Sequence, residues 1–175
     1  MFKKATLIVV IFTAMILAYA AMQPDTFRIE RLININGSPE RIFPHIDDFH
    51  QWEAWSPWEK TDTEIQRNYR GAESAKDPIY EWQGNKDIGQ GRMEIIQSIP
   101  SANLVIALHF MQPFEAQNTV EFILQNRDNT TTVTQAMYGP SPLISKLMDL
   151  FFNMDKMVGE KYEEGLASLK AIVEK

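Results

Sequence analysis

Apolar and polar residues alternate with a period of two in several segments after residue 25, a pattern that predicts strands with one buried face. Glycine, proline and asparagine residues separate these segments, and the links at 111–113 and 126–129 are short. Short links between alternating segments favour antiparallel pairing. The pattern therefore predicts an antiparallel sheet of about seven strands, at residues 26–36, 64–70, 79–83, 89–99, 103–111, 114–124 and 130–138.

The last part of the chain changes to a helical period. From about residue 142 to residue 173, apolar residues recur at steps of three or four, which predicts one long amphipathic helix. A short helix is predicted to begin at Pro39, because Ser38 before it is a favourable N-cap and proline suits the first helical position. A long helix after an antiparallel sheet predicts an α+β domain with the helix across the apolar face of the sheet.

The first segment has a different character. Lys3 and Lys4 precede 18 uncharged residues, Ala5 to Met22, which as a helix would reach about 27 Å, close to the thickness of a bilayer core. A cleaved secretory signal would use the small residues at 18–20, but its apolar region is usually only about 7–15 residues long. We therefore predict a transmembrane anchor at residues 1–23 and one soluble domain at 24–175, with the signal peptide as the alternative.

Charge and composition restrict the partners. The chain carries 17 basic and 23 acidic residues, a net charge of −6, and nucleic acid is therefore not expected as a partner. Because Lys3 and Lys4 should remain cytoplasmic, we expect a single-pass membrane protein with its domain on the non-cytoplasmic side. Cleavage of the segment would instead give a secreted or periplasmic domain. The acidic domain favours the anchor over a basic patch as its means of membrane attachment.

No metal or cofactor is expected from the residue types. The chain contains no cysteine, and His45, His50 and His109 do not share the spacing of metal ligands. No nucleophile or phosphate-binding motif occurs. Glu81 and Glu94 lie next to apolar strand positions, but alternation directs both to the other face. The sequence therefore gives no positive indication of an enzyme.

Six local motifs accompany the predicted order of elements: 39–43 (PERIF), 52–58 (WEAWSPW), 80–85 (YEWQGN), 89–93 (GQGRM), 113–116 (PFEA) and 157–166 (MVGEKYEEGL). From about Phe27 to the C-terminus, the chain resembles the polyketide cyclase/dehydrase-like subgroup of the SRPBCC, or START-like, superfamily. The resemblance implies a helix-grip fold, a curved antiparallel sheet wrapped on a long C-terminal helix. Gln135 departs from the subgroup, which often has a tryptophan at this position.

The resemblance also implies a cavity between sheet and helix for a hydrophobic small molecule, such as a lipid or a polyketide-like compound. Asn118 shares a strand face with Val120 and Phe122, so its amide should point inward and need a partner. Trp52, Trp55 and Trp58 either form the lip of the cavity or anchor short helices to the sheet. The candidate ligand-binding residues are Tyr80, Trp82, Met93, Asn118, Met137, Phe151, Met154 and Met157.

Three functions remain open at this point. The favoured hypothesis is a membrane-tethered or exported domain that binds a hydrophobic small molecule. The alternatives are a cyclase/dehydratase-type enzyme that uses the same cavity, and an interaction module whose core is closed. A cavity of at least about 300 Å³ would separate the first two from the third.

Overall fold

Seven antiparallel strands form one sheet in the computed structural model, which describes residues 2–71 and 78–175. The order across the sheet is β1-β7-β6-β5-β4-β3-β2. The predicted sheet is therefore confirmed. Every pair of neighbouring strands is consecutive in the chain except β1 and β7. The strands are β1 (Thr26–Ile35), β2 (Gln66–Arg70), β3 (Ile79–Gln83), β4 (Gln90–Ile99), β5 (Asn103–Gln112), β6 (Ala116–Arg127) and β7 (Thr130–Pro140).

One face of this sheet is buried, as the alternation predicts. In β5, Leu104, Ile106 and Leu108 are buried, whereas the residues between them are partly exposed. In β6, Val120 and Phe122 continue the same face, because Ile106 pairs with Val120 and Leu104 with Phe122. These inner side chains form the core with the helices that cover them.

Short helical turns connect β1 to β2: α2 (Pro39–Ile42), α3 (Pro44–Asp47), α4 (Trp52–Trp55) and 3-10 turns at Phe49–Gln51 and Trp58–Lys60. Two tryptophans bind these turns to one another. The indole nitrogen of Trp52 donates to the carbonyl of Ile46 at 3.0 Å, and that of Trp55 donates to the carbonyl of His45 at 2.8 Å. Both rings are buried and pack edge-on against Phe122, so they attach this segment to the sheet.

The C-terminal region contains two helices, α5 (Leu143–Phe152) and α6 (Met154–Val173), rather than the single helix predicted. The break is at Asn153, whose φ of 45° is left-handed, and whose side chain caps α6 by accepting a hydrogen bond from the backbone N–H of Lys156. Of the two helices, α6 makes the main contact with the sheet, through the buried Tyr162, Leu166 and Leu169. The apolar period continues across Asn153, which explains why it suggested one helix.

The first helix, α1 (Phe2–Met22), is apolar and exposed. Over Lys3–Met22 it is long and apolar enough to cross a membrane, a property shared by signal sequences, and of its side chains described only Ala20 is buried. α1 packs against α5. The buried ammonium of Lys146 on α5 donates to the carbonyl of Gln23 at 2.9 Å and to the carboxylate of Asp25 at 2.7 Å. The end of α1 is therefore attached to the domain.

An ion pair holds α6 on β1. Arg31 is the one charged residue on the inner face of β1, and its guanidinium donates to Glu163 at 2.7 Å and to Asp155 at 3.0 Å. The hydrogen bond from Arg31 lowers the pKa of Asp155. The guanidinium passes directly over Gly159, where an added Cβ would overlap it. Gly159 therefore leaves the space in which the Arg31 guanidinium lies over the helix.

We predict that Gly159→Ala destabilises the domain by about 1–3 kcal/mol, because the new methyl group displaces Arg31. In an Arg31→Ala background the same change should instead stabilise it by roughly 0.5–1 kcal/mol, since alanine favours helix more than glycine does and the obstacle is gone. Chemical unfolding of the four proteins measures both effects. Equal effects of Gly159→Ala in the two backgrounds would contradict this account.

Candidate ligand-binding site

A cavity of about 180 Å³ lies between the inner face of the sheet, α6 and the segment of short helical turns. Its walls are mainly aromatic and aliphatic. Exposed Asp87 is among the lining residues, so the cavity reaches the surface beside the loop between β3 and β4. The sheet supplies Trp82, Met93, Leu108, Phe110, Val120 and Met137, and the helical elements supply Trp52, Trp58, Val158 and Tyr162.

Most of the candidate residues on the strands line this cavity. Tyr80, Trp82, Met93 and Met137 all do, and each is buried. They come from β3, β4 and β7, where alternation directs them to the inner face. The period of two thus identified the sheet wall of the cavity.

The tryptophan cluster divides between two environments. Trp52 and Trp58 line the cavity. Trp55, 1% exposed, does not, because it lies in the core against Phe122. Trp58 packs edge-on against Tyr162 of α6, with ring centroids 5.7 Å apart.

Four candidate residues lie outside the cavity. Phe151, Met154 and Met157 are exposed. Phe151 belongs to α5, before the break at Asn153, whereas Met154 and Met157 lie in the first turns of α6 on its exposed side. Asn118 lies beside Gly139, where an added Cβ would overlap its Oδ1. This is the end of the sheet beyond the first β6–β7 pair, Thr119 with Tyr138, so the inward face of β6 no longer borders the cavity there.

Asn118 instead borders a second depression of about 400 Å³. Arg92, Glu94, His109 and Gln117 also line it. These side chains alternate with the buried residues of their strands, so the depression lies chiefly on the outer face of the sheet. Its polar walls are unsuited to an apolar ligand.

A row of stacked rings forms one wall of the cavity. The ring centroids of Tyr69 and Tyr80 are 5.1 Å apart, and those of Tyr80 and Trp82 are 5.9 Å apart. Trp82 then meets Phe110 edge-on at 5.9 Å. Gly91, the register partner of Trp82, leaves room for the indole, because an added Cβ would overlap it. Gly91 therefore has a packing role inside β4, in addition to its place in a turn-like GQG sequence.

Glu59 is a buried polar residue of the cavity that the sequence analysis missed. Its carboxylate accepts hydrogen bonds from the Tyr80 hydroxyl at 2.6 Å and from Arg67 at 2.7 Å. Burial, and then the hydrogen bond to Glu59, raise the pKa of Tyr80 well above its usual value. Glu59 lies in a 3-10 turn without a repeating pattern, and its partners come from β2 and β3, so no local signal identified it.

Gln135 is the other notable polar residue of the cavity. It is 2% exposed, and its side-chain oxygen Oε1 accepts no hydrogen bond from any residue in the described ranges 2–71 and 78–175. Gln135 occupies the position at which the resembled subgroup often has tryptophan.

Comparison with known proteins bears on the fold. No protein-family model matches the chain, and no curated protein matches it. Among solved structures, it is similar to the di-domain ARO/CYC BexL from the BE-7585A biosynthetic pathway, with a TM-score of 0.67, 10% identity and coverage of 90% of this chain and 53% of that one. It is also similar to the Aha1 dimer from Colwellia psychrerythraea, with a TM-score of 0.58, 16% identity and coverage of 85% and 96%.

A third similar structure is Ara h 8.0201, with a TM-score of 0.57, 10% identity and coverage of 85% of this chain and 97% of that one. These similarities support the predicted helix-grip fold. At such identities they establish the fold alone.

The buried phenols predict a loss of stability at alkaline pH. Burial raises the pKa of Tyr80 and of Tyr162 in the folded protein, so above about pH 10 the unfolded chain binds fewer protons than the folded one and stability falls. Each proton that the folded protein keeps and the unfolded chain has lost lowers the free energy of unfolding by up to about 1.4 kcal/mol per pH unit. Tyr80→Phe should make the fall shallower by about that amount.

Urea unfolding of the full chain in nonionic detergent between pH 9 and 11.5 measures this slope. Tyr138→Phe is the matched control, because its phenol is partly exposed and lies outside the cavity. A slope for Tyr80→Phe equal to that of the wild type would contradict the buried, neutral state of Tyr80.

Proposed function

We propose that this protein binds a small apolar molecule in the cavity between its sheet and α6. The observation that carries the proposal is the unfilled space of about 180 Å³ with aromatic and aliphatic walls. The cavity does not reach the roughly 300 Å³ set above as the threshold that separates ligand binding from a closed core. Protein interiors nevertheless contain few voids larger than a water molecule, so an apolar space of this size supports a ligand site.

The volume restricts the ligand. It is smaller than the roughly 300 Å³ expected for a site that encloses a whole drug-sized molecule. An apolar cavity of about 150 Å³ accommodates one benzene ring. The ligand is therefore a one-ring molecule, or a larger lipid or polyketide-like molecule that inserts one ring or short chain beside Asp87.

The cyclase alternative has weaker support. Two similar structures are described as di-domain ARO/CYC proteins, but this chain spans about half of each at 10% identity. Glu59 faces the cavity as an acid–base catalyst would, yet both of its oxygens are already engaged, by Tyr80 and Arg67. Binding is therefore the favoured function.

We further propose that α1 anchors the domain to a membrane on its non-cytoplasmic side. Residues Thr26 and Pro140 are register partners, so the end of α1, the start of β1 and the start of α5 lie at one end of the sheet. The link between β5 and β6 lies at the same end. Two phenylalanines near this end are exposed: Phe114 in the link, at 63%, and Phe151 on α5, at 72%. Exposed aromatic residues around an apolar helix suit a lipid interface.

Binding can be tested with p-xylene, a one-ring apolar probe. The full chain, labelled with ¹³C at its methionine methyl groups, is placed in phosphatidylcholine nanodiscs. The signals of Met93 and Met137, which line the cavity, should shift to saturation, whereas that of exposed Met157 should report only partition into lipid.

Val120→Phe should abolish the saturable shifts, because its ring fills the cavity from the sheet. Val105→Phe is the matched control, since it makes the same change on the opposite face of the neighbouring strand. Folded wild-type protein whose Met93 and Met137 signals do not respond would contradict the proposal.

The anchor makes a separate prediction. In expressing cells the chain should keep its intact mass, remain in the membrane fraction at alkaline pH, and be digested by protease added on the non-cytoplasmic side. N-terminal sequencing is the decisive measurement. A mature protein that begins shortly after Ala20 would replace the anchor with an exported soluble domain and leave the binding proposal unaffected.

A further inference from the structure

The unpaired amide of Gln135 restricts the chemistry of the ligand. Gln135 lies on the inner face of β7 between the buried Val133 and Met137 and lines the cavity. Its buried Oε1 accepts no hydrogen bond from the described residues 2–71 and 78–175. A buried acceptor with no partner is unfavourable, because folding has removed it from water. A partner supplied from within the cavity would compensate for this loss.

The charged neighbours of Gln135 do not supply that partner. Arg31 is its register partner on β1, but the guanidinium of Arg31 is engaged by Asp155 and Glu163. Arg67 donates to Glu59, which lines the cavity. The guanidinium groups of both arginines are therefore engaged by carboxylates.

A second polar group of the cavity is also available. The hydroxyl of Tyr162 on α6 forms no hydrogen bond with any residue that the structure describes, although the residue is only 3% exposed and lines the cavity. β7 and α6 are opposite walls. An amide acceptor and a phenol that can donate therefore border the same apolar space.

We propose that the ligand bears a hydroxyl group, which donates to Oε1 of Gln135 and accepts from the hydroxyl of Tyr162. A hydroxyl is the simplest group that both donates and accepts through one atom. With the cavity volume, this defines the ligand class as a hydroxylated one-ring molecule, or a larger molecule that inserts such a ring. The inference rests on the proposed binding function and makes Gln135 its specificity-determining residue.

The test compares p-cresol with p-xylene, which have similar shapes but carry a hydroxyl and a methyl group, respectively. Binding to wild type and to Gln135→Met is followed by the Met93 and Met137 signals of the full chain in the same nanodiscs. Wild type should prefer p-cresol by roughly tenfold, and Gln135→Met should lose that preference while it still binds p-xylene. The ratio of p-cresol affinity to p-xylene affinity is compared between the two proteins. Because both are in the same nanodiscs, the different partition of the two probes into lipid affects both ratios equally and cancels.

Two further measurements complete the test. 4-Methylanisole has the oxygen but no donor, so it should bind wild type no better than p-xylene; equal affinity for 4-methylanisole and p-cresol would overturn the donor assignment. Tyr162→Phe should weaken p-cresol and leave p-xylene unchanged. Gln135→Leu replaces Gln135→Met if the latter does not fold.

The outcomes separate the two proposals. If wild type and Gln135→Met show the same ratio of p-cresol to p-xylene binding, Gln135 is satisfied by a trapped water and this inference is wrong, although binding stands. If neither probe binds the folded wild type, the proposed function itself fails.

Discussion

The position of α6 along β1 is the constraint on which the rest of the structure depends. The helix packs chiefly on this edge strand, where Arg31 binds Asp155 and Glu163 and Gly159 permits the close approach. A helix held at the edge cannot cover the middle of a seven-stranded sheet. The side chains of the helical turns at 39–60 cover the middle incompletely, and the cavity is the space that remains.

The chemistry of the cavity follows from this geometry. Stacked rings on β3 and an edge-on contact with Phe110 form a stiff wall that cannot collapse into the space. Two polar side chains of the cavity walls differ in their partners. The carboxylate of Glu59 accepts a hydrogen bond from Tyr80, whereas Oε1 of Gln135 accepts none from the described residues. An apolar space bordered by the unsatisfied acceptor of Gln135 and the phenol of Tyr162 is suited to select a ligand by the hydrogen bonds of one polar group, since apolar walls discriminate between ligands mainly by size.

The sheet and its contribution to the cavity were predictable because a strand with one buried face imposes a period of two on the sequence. Tyr80, Trp82, Met93 and Met137 were found in this way. The prediction for Phe151, Met154 and Met157 was wrong in its placement of these side chains at the cavity. The helical period does not reveal the break at Asn153, which separates Phe151 from α6, and it does not show which side of α6 faces the sheet at Met154 and Met157.

The polar residues of the site could not be ranked from the sequence, because their importance depends on distant partners. Glu59 gains its role from Arg67 and Tyr80, and Gln135 is distinctive because Arg31 is engaged elsewhere. Asn118 satisfied the local pattern as well as Gln135 did. It lies beside Gly139, beyond the last β6–β7 register pair, a position that alternation alone does not predict.

The central claim is that a stable apolar space remains between α6 and the sheet. A crystal structure of the full chain under xenon pressure tests it directly, since xenon occupies dry apolar cavities of this size. The account predicts one ordered xenon atom between Met93, Met137 and Tyr162. A well-ordered interior with no xenon, in which Trp82 or Phe110 fills the space, would contradict it.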